Sequence, residues 1–229
     1  MASNLIYYYD AISQPCRSVL MFLNANKISY EGRVLSLFSG AYRKSDELAA
    51  INPQRYLPVI KDSQVQLFES DAILKYVADQ YKVSDHWYPA DLAKRARINE
   101  YMSWHHSNTR SSCIGLFRLA YLGPRFFNKK VDEKERQEAV DKLNKTADFI
   151  ESYFLKDSEY INSNSISIAD LLAVCEFSQL IIVDYDVAQG RPKVAKWVQN
   201  IKSNLGSIYE DAHEIVYQFQ KEVQEAKKA

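Results

Sequence analysis

The chain has 229 residues, with 29 Lys plus Arg against 29 Asp plus Glu and a formal net charge of +0. So even a balance supplies no global field to gather nucleic acid or an anionic membrane, which argues against both as main partners. With 6 Gly, 6 Pro and 3 Cys, the composition excludes collagen-like and linker-dominated architectures, and also a disulfide framework or a zinc site. Asn4 to Tyr9 reads as a short aromatic strand. Ser13-Gln14-Pro15 opens a helix backed by Val19, Leu20, Phe22 and Leu23. Ile28 to Leu37 alternates as a second strand, and a weakly patterned helical stretch follows. Leu57 to Ile60 and Val65 to Phe68 read as a hairpin turning at Lys61-Asp62-Ser63-Gln64, and Glu69 to Tyr81 as a helix. This mixed order suits a small α/β sheet covered by helices.

From Ala90 onward the strand signals vanish. Helical periodicity runs over Asp91 to Tyr121, Asp132 to Phe154, Ser167 to Val183, Pro192 to Asn204, and Ile208 to the end. The expected division is residues 1–82 as an α/β domain, 83–90 as a linker and 91–229 as an all-α domain. The longest apolar stretch, Ile166 to Val183, is interrupted by Asp170, Glu176, Ser178 and Gln179, which excludes a spanning helix. The first residues lack a basic segment and a long apolar run, so no signal peptide is expected. A soluble cytoplasmic protein with reduced cysteines is the expectation.

Ser13 precedes a helix start, where a hydroxyl can cap backbone N–H groups. The same place can instead stabilise an anion, because a helix N-terminus carries free N–H groups and partial positive charge. If the anion is a bound thiolate, its pKa must fall by about two units to be mostly ionised at neutral pH, a requirement of ~2.7 kcal/mol. One hydrogen bond to a charged acceptor supplies ~1.5–3 kcal/mol and the dipole roughly 0.5–2 kcal/mol, so neither metal nor general base is required. Cys16 is the rival nucleophile, but no second cysteine lies near it to resolve a disulfide, and it reads as a buried packing residue. Arg17 can steady the turn or meet a carboxylate.

Leu57-Pro58 places proline at a strand start, and a cis proline there leaves the backbone of the preceding residue open to a peptide ligand. Glu69 and Ser70 open a helix, where they can cap it or take the ammonium and carboxylate of an amino-acid head group. Taken in order, Ser13-x-Pro15-x-Arg17, Leu57-Pro58 and Glu69-Ser70-x-Ala72-Ile73-Leu74 resemble the glutathione transferase superfamily. His86-Trp87-Tyr88-Pro89, Arg95-Ala96-Arg97, Trp104-His105-His106 and Ser167-Ile168-Ala169-Asp170-Leu171 are similar to its theta class, over about residues 5 to 220. The resemblance implies a thioredoxin-like N-terminal domain, an all-α C-terminal domain and glutathione as co-substrate, with no metal.

On that resemblance Ser13 bonds the glutathione thiolate, Leu57-Pro58 holds the cysteinyl backbone and Glu69-Ser70 binds the γ-glutamyl head group. The family's usual basic residues for the glycine carboxylate are replaced: Ser39 to Lys44 is one residue longer than its counterpart, and Tyr56 stands where a lysine is usual. Tyr42, Arg43 and Tyr56 are placed around this end of glutathione, and Arg43, Lys44 and Arg55 compete to supply the charge. Arg110 matches an arginine near the thiol. Trp104, Ser107 and Arg110 span an arc of roughly 120° on an ideal helix and are expected to share one broad face toward the co-substrate. The adjacent His105 and His106 read as a polar or partly buried pair whose side chains point too far apart to share a metal. Ser167 to Asp170 reads as a capping box, and Gln218 to Lys228 as a solvated helix ending.

The implied partners are glutathione, a small hydrophobic electrophile or an organic hydroperoxide, and a second copy of the chain as a homodimer. The chain ends soon after Lys221, which implies a relatively open co-substrate pocket. The alternatives are a thiol reductase working through Cys16 and a ligand carrier or other non-enzymatic protein of the same fold.

Overall fold

The computed structural model describes residues 5–228. Strand β1 (Ile6–Tyr9) leads to α1 (Gln14–Ala25) and β2 (Glu31–Val34), then to a 3-10 turn at Ala41–Lys44 and α2 (Asp46–Ile51). Strands β3 (Val59–Lys61) and β4 (Gln66–Phe68) precede α3 (Ser70–Gln80). The sheet order is β2-β1-β3-β4, with β2 parallel to β1 and both other pairings antiparallel. The strands are shorter than their apolar patterns, and Asn4 lies outside the described residues. β2 in particular has mostly exposed side chains on an edge, so alternation over Ile28 to Leu37 overstated its length.

Alternation along β1 sorts its tyrosines. Tyr7 points into the main core, while Tyr8 packs with Leu48 and Val59 on the opposite face. Tyr7 donates to the Cys16 carbonyl at 2.6 Å, tying the strand to the first turn of α1. Cys16, Arg17, Val19, Met21 and Phe22 on α1 are all completely buried. They are covered by α3 and by helices of the second half of the chain.

That half contains α4 (Leu92–His105), α5 (Ser111–Phe117), α6 (Gly123–Phe127), α7 (Glu133–Phe149), α8 (Ile168–Gln179), α9 (Pro192–Leu205) and α10 (Ser207–Ala226). The helix expected over Asp91 to Tyr121 runs on to Phe127, and π-type turns interrupt it at His106–Arg110 and Arg118–Leu122. Such a turn advances the helix by an extra residue and rotates everything after it. The side-chain arc drawn for a regular helix therefore fails across residues 104 to 110.

The capping box opening α8 is formed. Asp170 accepts from the Ser167 N–H at 2.7 Å, the Ser167 hydroxyl at 2.9 Å, the Ile161 N–H at 2.8 Å and Trp197 Nε1 at 2.8 Å. One carboxylate thus joins the loop before α8 to α9, a structural duty with no opening for chemistry. Burial still outweighs these donors and pushes Asp170 up to about 6.

His105 is not part of a surface pair: it is buried while His106 is exposed. Burial, reinforced by the charges of His106 and Arg110, drives its imidazole down to about 3. A histidine depressed in the folded state is neutral there while its unfolded counterpart takes a proton, so its contribution is full above the unfolded pKa and lost as pH falls. Buried His213 is shifted the same way, whereas Asp170 and Glu176 are raised and act in the opposite sense. Comparing wild type with His105→Gln isolates the one group. In urea unfolding, the stability advantage of wild type is expected to shrink by about 1.4 kcal/mol per pH unit below ~6.5. A pH-independent difference would contradict the neutral buried imidazole.

Candidate active site

Register explains why distant segments meet. Val59 pairs with Tyr8 on one side and with Phe68 on the other. Because β3 runs against both neighbours, the end of β1, the start of β3 and the end of β4 lie at the same sheet end. Pro58 and Glu69 adjoin the ends of β3 and β4 directly, and Ser13 follows β1 after Asp10, Ala11 and Ile12. The helices α1 and α3 start there as well, so two N-termini face the same region.

Ser13 occupies the N-cap position of α1 with extended backbone, yet its side chain makes no capping hydrogen bond. The capping role is therefore not the one its hydroxyl performs in this structure. It sits half-buried beside the Cys16 thiol. Cys16 has no exposed surface, and burial pushes its thiol up to about 11 against the opposing pull of Ser13 and the Asp10 backbone. A thiol so buried and so reluctant to ionise is a poor nucleophile, which removes the support for a Cys16-dependent reductase.

The Leu57-Pro58 bond is cis. Asn52, fully buried, shapes the approach to it by accepting from the Gln54 N–H at 3.1 Å and donating to the Tyr56 carbonyl at 3.1 Å. Leu57 and Tyr42 both pack on the Tyr8, Leu48 and Val59 cluster. Tyr42 is thereby brought to the same sheet end, and Arg43 donates to its hydroxyl at 2.8 Å. Tyr56 is largely exposed. Arg55 adopts φ 56° and keeps a buried Nε without a hydrogen-bond partner among the described residues. Glu69 is exposed with φ 74° and ψ 112°, a conformation that side chains rarely take, while Ser70 behind it is buried. Strain of this kind costs about 1–3 kcal/mol and collects at binding sites.

Trp104 is turned away from Arg110. It stacks on Phe149 at 5.3 Å and packs on Phe154 at 5.1 Å, against α7 and the π turn that follows it. Ser107 is exposed. Arg110 instead ion-pairs at 2.8 Å with Glu176 of α8, whose side chain is 1% exposed. The expected common face of Trp104, Ser107 and Arg110 is thus corrected by the intervening π turn.

Of the two uses open to Arg17, steadying the turn is the one its hydrogen bonds show. Arg17 is fully buried and donates to the carbonyls of Ala11 at 2.9 Å, Ile12 at 3.0 Å and Cys175 at 3.1 Å, and to Gln179 Oε1 at 2.7 Å. The loop carrying Ser13 is therefore bolted to α8. Asp10 holds the same loop from above, accepting from the Ile12 N–H at 3.1 Å and the Leu37 N–H at 2.7 Å. Glu176 was visible only as a charge interrupting an apolar run, and such an interruption signals a buried pair.

Residues 7–85 match the family profile of the glutathione S-transferase N-terminal domain, and residues 113–204 match that of the C-terminal domain. Human glutathione S-transferase theta-1 is 36% identical over 210 residues, spanning 91% of this chain and 87% of that protein. Glutathione S-transferase T1 of Arabidopsis thaliana is 36% identical over 217 residues, spanning 92% and 88%. A crystal structure of human glutathione transferase theta-2, in complex with glutathione and an unknown ligand, superposes with TM-score 0.91 at 32% identity, covering 99% of this chain and 92% of the other. A small sheet with two helix N-termini at one end, joined to a helical half, is thus matched in fold and in sequence at once. This chain belongs to the glutathione S-transferase family, and the relatives it matches at these levels are of the theta class.

Proposed function

We propose that the protein is a theta-like glutathione transferase in which Ser13 stabilises the thiolate of bound glutathione. The observation that carries this reading is the meeting of a Ser13 hydroxyl not used to cap α1, the cis Leu57-Pro58 bond and the strained Glu69 with Ser70 at one sheet end. Residues 1–82 hold glutathione, 83–90 link, and 91–229 select the co-substrate. The Leu57 backbone takes the cysteinyl peptide, the Glu69 carboxylate takes the ammonium, and Ser70 takes the γ-glutamyl carboxylate. Tyr42, Arg43 and Tyr56 border the glycine end, with Arg55 beside them.

The chemistry asks little more of the protein than binding and orientation. The thiol proton leaves to solvent, and the sulfur attacks a small apolar electrophile such as an alkyl or aryl halide. A carbon–sulfur bond forms as the carbon–halogen bond breaks, and halide departs. With an organic hydroperoxide the thiolate attacks the terminal oxygen and releases the alcohol. A second glutathione then displaces water from the sulfenic acid to give the disulfide. Arg110, held by Glu176, supplies positive charge near the departing group, and the active form is a homodimer.

Calorimetric titration with glutathione, followed by turnover across halides and cumene hydroperoxide, tests this reading. Saturable binding and conjugation are expected. Absence of both would leave a ligand carrier of the same fold.

A further inference from the structure

The loop between β2 and the 3-10 turn does more than connect them. Leu35 donates to the Tyr9 carbonyl at 2.9 Å and Leu37 to the Asp10 carboxylate at 2.7 Å, so the loop is fixed to the segment that leads into Ser13. From that anchor Phe38 crosses to the helical half. Its ring stacks on Phe126 of α6 at 4.8 Å and 18°, and meets Phe219 of α10 edge-on at 5.3 Å. Tyr121 continues the row, 6.2 Å from Phe219. Arg125 lies 5.6 to 5.9 Å from the ring centres of Tyr121, Phe126 and Phe219, and is held by Glu222 at 3.0 Å.

Apolar rings from two halves of the chain thus join beside the turn that carries Ser13, although Phe38 and Phe126 keep 38% and 43% of their surface exposed. Exposed packing of this kind contributes little to a core. Behind it the Tyr121 hydroxyl is buried with no hydrogen-bond partner among the described residues. An unmet donor beside an apolar row fits a ligand with an apolar body and one accepting atom.

We propose that Phe38 is a specificity-determining residue, roofing the co-substrate side of the Ser13 turn with Phe126 and Phe219 and limiting electrophiles to compact ones. The inference rests on the transferase reading above. A compact electrophile slides beneath the row and gains ring contact. A bulky one has to part Phe38 from Phe126 before it reaches the thiolate.

The test compares wild type, Phe38→Ala and Phe127→Ala, the last removing a neighbouring exposed ring that takes no part in the row. Two readouts are needed. The first is the ratio of kcat/KM for a naphthyl-sized halide to that for a short alkyl halide. It is expected to rise about fivefold in Phe38→Ala, the scale of one aromatic pair, and to stay unchanged in Phe127→Ala. The second is the affinity for S-hexylglutathione relative to glutathione, which needs no turnover and is expected to change in Phe38→Ala alone. If Phe38 only staples the two halves together, Phe38→Ala loses stability in urea while both ratios stay put, and the proposal is overturned. If glutathione binds none of the three proteins, the transferase reading fails instead. The row is then read with an apolar fluorophore, 1-anilinonaphthalene-8-sulfonate: altered affinity in Phe38→Ala supports it, and equal affinity overturns it.

Discussion

Replacing Ser13 by alanine is expected to lower kcat/KM for conjugation by roughly 10- to 100-fold, the worth of one hydrogen bond to a charged acceptor. Over the same range the thiol of bound glutathione, followed by thiolate absorbance against pH, should ionise about one to two units higher. Binding of glutathione itself should change little, because Leu57, Glu69 and Ser70 are untouched. The variant also separates the two uses of a serine at a helix start. A capping hydroxyl is worth about 1 kcal/mol of stability. Ser13 makes no such bond, so Ser13→Ala should unfold in urea close to wild type. Loss of stability with full activity would reverse the assignment and move thiolate stabilisation to Arg110.

The second large effect is placed under the turn. Arg17→Met keeps much of the side-chain volume but removes the guanidinium donors from the carbonyls of Ala11, Ile12 and Cys175 and from the amide oxygen of Gln179. It also takes away a positive charge facing Glu176, whose Oε2 has no hydrogen-bond partner among the described residues and whose carboxyl is already raised by burial. Orphaning one side of a buried charged network costs about 3–5 kcal/mol. Urea unfolding should show a loss of that order, together with weakened conjugation, because the Ser13 loop loses its bolt to α8. A loss below roughly 1 kcal/mol would show that the carbonyls find water instead.

What could be read from the residues in advance follows a physical divide. Ser13, the cis Leu57-Pro58 and Glu69-Ser70 announce themselves because turn and cap chemistry is local: the residue type and its neighbours determine the backbone. Asp170 was legible for the same reason, since its partner Ser167 lies within one turn. Arg17 remained ambiguous because two of its four acceptors sit on α8, beyond any local pattern. Trp104, Ser107 and Arg110 were assigned one face by a periodicity that π turns do not keep. His105 and His106 read alike as a polar or partly buried pair, and only packing tells them apart. Phe38 carries no signal of its own in the sequence. Its ring partners come from two helices far along the chain, and no window of sequence contains them.

Glu69 carries a last consequence. A glycine, lacking Cβ, would hold φ 74° at a lower steric cost, so Glu69→Gly would ease the backbone at the start of α3. It would equally erase the carboxylate proposed to meet the ammonium of glutathione. Selection for thermal robustness alone would drift toward glycine at this position, and selection for ligand recognition would hold it at an acid. One torsion angle therefore sets two selective pressures against each other, and screens of variant libraries for heat tolerance should be read with that opposition in mind.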